Sequence, residues 1–281
     1  MKTTVQRPQL ITCFIPPLQP LQEMTNTITT IFPGVIGAGK INAKSVWYPQ
    51  KDEKVHYLYN DFVIRTTTEY ESDFNRAMKT NCTFAGDNVS ITIDTMVALT
   101  RSGVIALGDD ATRVYREPNA GGASVVSEAL SVEYMARRVR ASNTVPEMKI
   151  QYFFYNWKKI DYISSINGER IGVSVTRAMG FPSPTLFTME DATRLGTKKL
   201  YGLILARSGI SECHNYNRSI LHVFCQSQQI AVLMQEAFRT IIAEDRALQE
   251  DLSGHIVIIL TIVKNIPGVF TENFACLNAK Y

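Results

Sequence analysis

Cysteine is scarce in this 281-residue chain: Cys13, Cys82, Cys213, Cys225 and Cys276 are odd in number and irregular in spacing. That pattern excludes a disulfide-built scaffold, and a chain this long can bury a core without staples, so reduced thiols are expected. Charge of one sign is not in excess either, with 29 Lys and Arg against 26 Asp and Glu and a formal net charge of +3. Such a balance gives no global argument for nucleic acid, although a basic patch can sit within a balanced total. Long apolar runs are missing. The longest, IVIILTIV from Ile256 to Val263, is far too short to cross a bilayer, so no membrane partner is expected. The first residues lack the charged segment and apolar stretch of a secretory leader. An intracellular protein, cytoplasmic or nuclear, is the expectation. Organelle import stays open, because few acidic residues precede Glu23, although only Lys2 and Arg7 are basic there. No internal repeat is visible, and the glycosylation triplets at Asn81, Asn88 and Asn217 mean little without a secretory route.

What is present has the composition of an ordinary globular protein, 45% hydrophobic and 20% charged, and divides into three stretches. Residues 1–44 include IPPLQPLQ, which can form neither helix nor central strand, and read as an extended arm. Such an arm suits a protein partner or self-association. Residues 45–118 read as β-rich: VHYLYNDFVIRTTT alternates like a strand, VSITIDTMVAL and GVIALGDD look like further strands, and YESDFNRAMK fits a helix. Residues 119–281 are punctuated as an α/β domain. Ser124 stands where it can cap a helix over VVSEALSVEYMARRVRA, with basic residues in its last turn. Three strands follow, MKIQYFFYN, KKIDYISSI and RIGVSVTRA, the last two joined by the hairpin signal Asn167-Gly168. Thr188 with Asp191 opens a helix that closes at Gly209. SILHVFCQ is then a strand, QQIAVLMQEAFRTIIAEDRALQ a helix and HIVIILTIV a buried strand.

An acid-bearing helix, a three-stranded meander, a second helix and a returning strand resemble the core of the restriction-endonuclease-like, or PD-(D/E)XK, nuclease superfamily over about residues 121–263. GVSVTRAM and REPNAGGASVVSEALS also resemble segments of a eukaryotic group assigned to it. The resemblance implies a nuclease-like fold acting on nucleic acid. It also implies carboxylates holding Mg2+ or Mn2+, and a lysine that orients water and offsets phosphate charge. Glu128 matches the helix acid and Asp161 the second-strand acid, so these two would be the metal ligands. The third strand departs from the pattern. Its acid-x-Lys positions read Ser174-Val175-Thr176, with Ser174 and Thr176 on one face and Val173, Val175 and Arg177 on the other. Lys159 shares the face of Asp161 and is the candidate for the lysine's role, with Ser174 or Thr176 as weak oxygen ligands. Lys158, Arg177, Arg137 and Lys198, with Lys199, Arg138 and Arg140, are the candidates for contacting a phosphate backbone. Two readings stay open: a metal-dependent phosphodiesterase, and a pseudoenzyme that keeps the scaffold as a structural or assembly subunit. For Glu128 and Asp161 taken singly, a solvated surface carboxylate is the plain alternative.

Other motifs carry less. GVIGAGKI, Gly34 to Ile41, has phosphate-loop spacing but neither strand before nor helix after it, and Ile41 stands where a hydroxyl should bind magnesium. Cys213, His214, His222 and Cys225 fit no zinc spacing, and His222 and Cys225 have opposite strand parity. GDDATRVYRE, with Asp109, Asp110 and Glu117, could bring further carboxylates to the same cleft, but reads rather as a turn after a strand, whose geometry Gly and Asp tolerate. The aromatics of QYFFYNW alternate, one side for the core and the other for a contact surface on which bases could stack.

Overall fold

The run IVIILTIV becomes the strand β9 (Ile256–Lys264), buried on both faces as an uninterrupted apolar strand must be. A computed structural model describes residues 53–79, 89–100, 102–118, 124–245, 248 and 256–279. The arm at 1–44 and the Gly34 to Ile41 loop lie outside them. The preceding elements are β1 (Glu53–Leu58), β2 (Phe62–Thr67), α1 (Thr68–Met78), β3 (Ser90–Ala98), β4 (Ile105–Leu107), α2 (Asp109–Arg116) and α3 (Val125–Val139). Next come β5 (Ser142–Pro146), β6 (Tyr162–Ile166), β7 (Glu169–Ala178), α4 (Met189–Ser208), β8 (Arg218–Cys225) and α5 (Gln228–Glu244). After β9 follow the one-turn α6 (Gly268–Thr271) and β10 (Leu277–Ala279), which pairs with β4 apart from the main sheet.

The protein is a mixed α/β structure. Among the described residues eight strands form one sheet in the order β1-β2-β3-β9-β8-β7-β6-β5. β3, β9, β8 and β7 run parallel, while β1 to β3 and β5 to β7 are antiparallel meanders at the two edges. The strands read as a β-rich first region thus join the same sheet as β5 to β9, through β3 against β9. One face is covered by α1 and α3, where Phe74, Val126, Leu130 and Tyr134 pack on Val173, Val175, Ile220 and Phe224. On the other, Leu200 and Leu203 of α4 and Met234 and Phe238 of α5 cover Leu221, Val223, Ile258 and Leu260. No described helix is long and apolar enough to cross a membrane.

Four local expectations need correction. VHYLYNDFVIRTTT is two strands, β1 and β2, with the chain turning through Asn60 and Asp61. GDDATRVYRE is not a turn: Asp109 and Asp110 open α2, where carboxylates favour the free amides of a helix start. The first meander strand is Ser142–Pro146, not MKIQYFFYN, which begins with a 3₁₀ turn at Glu147–Lys149 and continues irregularly. Ser124 precedes α3 without a capping bond from its side chain, which hydrogen-bonds Glu128 instead. The capping box of Thr188 and Asp191 on α4, by contrast, is present in both halves.

Candidate functional site

The site forms where β6 parts from β7. Tyr162 opposite Val173 is the last pair of that ladder, closed by the Asp161 amide donating to the Val173 carbonyl at 3.1 Å. Beyond it β7 continues to Ala178 with, among the described residues, no strand on this side, and its backbone groups need other partners. Val175 finds both. Its amide donates to Asp161 Oδ2 at 2.6 Å, and its carbonyl accepts from Lys199 Nζ at 2.8 Å. The Ser174 hydroxyl donates to the same Asp161 oxygen at 2.9 Å.

Glu128 reaches this cleft from α3 on one face of the sheet, and Lys199 from α4 on the other. Burial, then the charge of Asp161, with smaller pushes from Glu147 and Glu272, raises the Glu128 carboxyl to about 7 against a hydrogen bond to Ser124. Only 3% of Glu128 is exposed, so this is no solvated helix residue. Burial holds the Lys199 ammonium below its usual value, with Lys158 and Lys198 pushing the same way and Asp161 and Glu128 opposing them. Glu128, Asp161 and Lys199 are therefore close enough to act on one another's charge, with Glu128 buried and Asp161 and Lys199 half-buried. Like charges so placed favour a proton or a cation between them.

Other predicted site residues fall elsewhere. Lys159 does not take the lysine's role: its Nζ donates to the Tyr155 carbonyl at 3.3 Å and lies 5.3 Å from the centre of the Tyr155 ring. Thr176 is half-buried, two residues beyond Ser174 on β7. Arg177 is not a free phosphate ligand, because it pairs with Glu272 at 2.7 Å and donates to the Val269 carbonyl. Glu272 in turn accepts from the Val126 amide at the start of α3. Arg137 is likewise engaged, bridging Asp61, Glu133 and the Ala106 carbonyl, while Arg138 is buried among Asp94, Glu71 and Tyr134. Lys158 and Lys198, both exposed, are near enough for their charges to act on Lys199. His222 lies fully buried between the Ser131 and Thr261 hydroxyls, kept neutral by burial that pushes it down to about 3, while Cys213 is exposed.

Lys199, expected only among the residues that contact a phosphate backbone, instead takes the place of a site lysine here. The signal was available: Ala192, Gly196, Lys199, Leu203 and Ala206 follow one another at spacings of three and four. A lysine in that inward series must meet an acceptor or a charge.

No family model and no solved structure matches the chain. A curated relative, the AAC-rich mRNA clone AAC4 protein of Dictyostelium discoideum, is 33% identical over 140 residues, covering 47% of this chain and 20% of its own length. The matched part is thus a fifth of that relative, whose name states no activity.

Proposed function

We propose that the cleft is a divergent nuclease-type site and that the protein is a metal-dependent phosphodiesterase of the restriction-endonuclease-like kind acting on nucleic acid. The observation that carries this is the gathering of Asp161, in the bend just before β6, and Lys199 from α4 on Val175, where β7 runs beyond its pairing with β6, with the charge of Glu128 from α3 acting on both. The order α3, β5-β6-β7, α4, β8, with β8 returning parallel beside β7, supports the same fold resemblance. The donor set fits a hard cation: Glu128 and Asp161 would hold Mg2+ or Mn2+ through oxygen. When bound, such an ion supplies charge neutralisation for a phosphate under attack.

The chain's own residues do the rest. Val175 and Ser174 fix Asp161 by two hydrogen bonds, so its other oxygen keeps a set direction. Lys199 spends one hydrogen on the Val175 carbonyl and keeps two for a phosphate oxygen or water. Lys158 and Lys198 add positive charge at the rim.

The non-catalytic reading has its own support: among the described residues no three acidic, histidine or cysteine side chains gather as a metal group. The test is cleavage of labelled DNA and RNA oligonucleotides with Mg2+ or Mn2+ by the wild type, Glu128→Gln, Asp161→Asn and Lys199→Met. Divalent-dependent cleavage that falls about a hundredfold or more in each variant supports the enzyme. Cation binding without cleavage assigns the scaffold role, and cleavage indifferent to all three changes removes the site.

A further inference from the structure

We infer that Phe153, Phe154 and Tyr155 form a ledge on which unpaired bases of a polynucleotide strand stack on their way to the cleft. The inference rests on the nuclease-like reading and names the form of its substrate. These three consecutive aromatics are 66%, 64% and 84% exposed. Scattered exposed hydrophobics are ordinary, but adjacent ones displayed together mark a contact surface.

The backbone beneath them is held on both sides, so the display is built. Trp157 Nε1 donates to the Leu205 carbonyl at 2.6 Å, and its indole lies against Gly209, where an added Cβ would come within 2.0 Å of Nε1. The Phe153 amide donates to the Gly209 carbonyl at 2.9 Å, and Tyr152 bridges Ile210. The Tyr152 hydroxyl accepts from the Ile160 amide at 3.0 Å, closing the segment just before Asp161. Phe154 leans on Trp157, ring centres 5.6 Å apart and planes tilted by 33°.

Charge selects the occupant. Lys159 sits at the Tyr155 ring, and Lys158 packs along α4, its Cε 3.2 Å from where a Gly202 Cβ would stand. Exposed aromatic faces with ammonium groups beside them suit bases joined by phosphates. A duplex hides its base faces, so an unpaired strand is the form that fits. The ledge is also close to the site along the chain, because the six residues from Tyr155 to Asp161 span at most about 22 Å.

The test is fluorescence anisotropy of the full chain with a short labelled oligothymidylate, and with a duplex of equal length, in chelator so that nothing is cleaved. The single strand should bind about tenfold or more tightly than the duplex. Phe154→Ala and Tyr155→Ala should each weaken it about fivefold to a hundredfold. Both rings are exposed, so melting temperature should not move. Equal affinity for duplex and single strand, no binding, or binding indifferent to both ring changes overturns the inference. So does ring-dependent self-association seen by light scattering without oligonucleotide binding, which would assign the ledge to a second copy. Because binding is read without cleavage, failure of the ledge leaves the fate of Glu128 and Asp161 to their own assay.

Discussion

Glu128 shows how one side chain changes meaning with its surroundings. On α3 it counts as one of many helix glutamates, and its sequence position alone fits a solvated face. Packed against the sheet and facing Asp161, its carboxyl is raised from 4.5 to about 7. A carboxyl that holds its proton more tightly in the folded state stabilises the fold fully below about 4.5, and that contribution is lost as pH rises through about 7. Urea denaturation of the cation-free protein should therefore show stability falling across that window, by up to about 3 kcal/mol. Glu128→Gln should flatten the change. Mg2+ at pH 8 should restore stability to the wild type and not to the variant, because a ligand that binds only the folded state stabilises it. Glu128 and Asp161 were legible as residue types matched to a family pattern. For Lys199 the helical spacing showed that it turns inward but not what it meets, because the Val175 carbonyl is open to it only where β7 runs beyond its pairing with β6.

Among the elements, α4 was the most legible, since Thr188, Asp191 and Gly209 declare its ends through local hydrogen bonds that need no tertiary context. The segment after β5 was the least legible. MKIQYFFYN is dense in strand-forming residues, but only the fold decides whether alternating aromatics pair with a strand or project. Here Trp157 and Tyr152 bind the end of α4 and the flanking backbone, so their neighbours turn outward. The ledge therefore depends on Gly209. Gly209→Ala would force a methyl into the Trp157 indole and should cost about 1–3 kcal/mol. Hydrogen exchange should then quicken over residues 151–158 while β8 and β9 stay protected. Unchanged exchange there would mean that the indole does not anchor the segment.

For the molecule as a whole, the first half could not be placed from its own pattern, because strand order is set by long-range pairing that no local window contains. β3 lies against β9, 166 residues later at Thr92 and Ile258, where the Thr92 hydroxyl reaches the Ile258 carbonyl. A second tie runs from Asp94 on β3 and Glu71 on α1 to Arg138 on α3, Asp94 and Arg138 buried and Glu71 half-buried. Removing one member leaves a charge uncompensated in the core, so Asp94→Ala should cost about 3–5 kcal/mol. Because the sheet is continuous, far-ultraviolet circular dichroism and tryptophan fluorescence should report one coincident unfolding transition. Two separate transitions would divide β1 to β3 from the rest.

The proposed metal site rests on two carboxylates, Glu128 on α3 and Asp161 just before β6, whose charges act on each other. Calorimetric titration of the protein with Mn2+ tests this most directly, comparing the wild type with Glu128→Gln/Asp161→Asn. The prediction is a heat of binding in the wild type that vanishes in the double variant while its fold is retained. No heat in the wild type, or the same heat in both proteins, would contradict it.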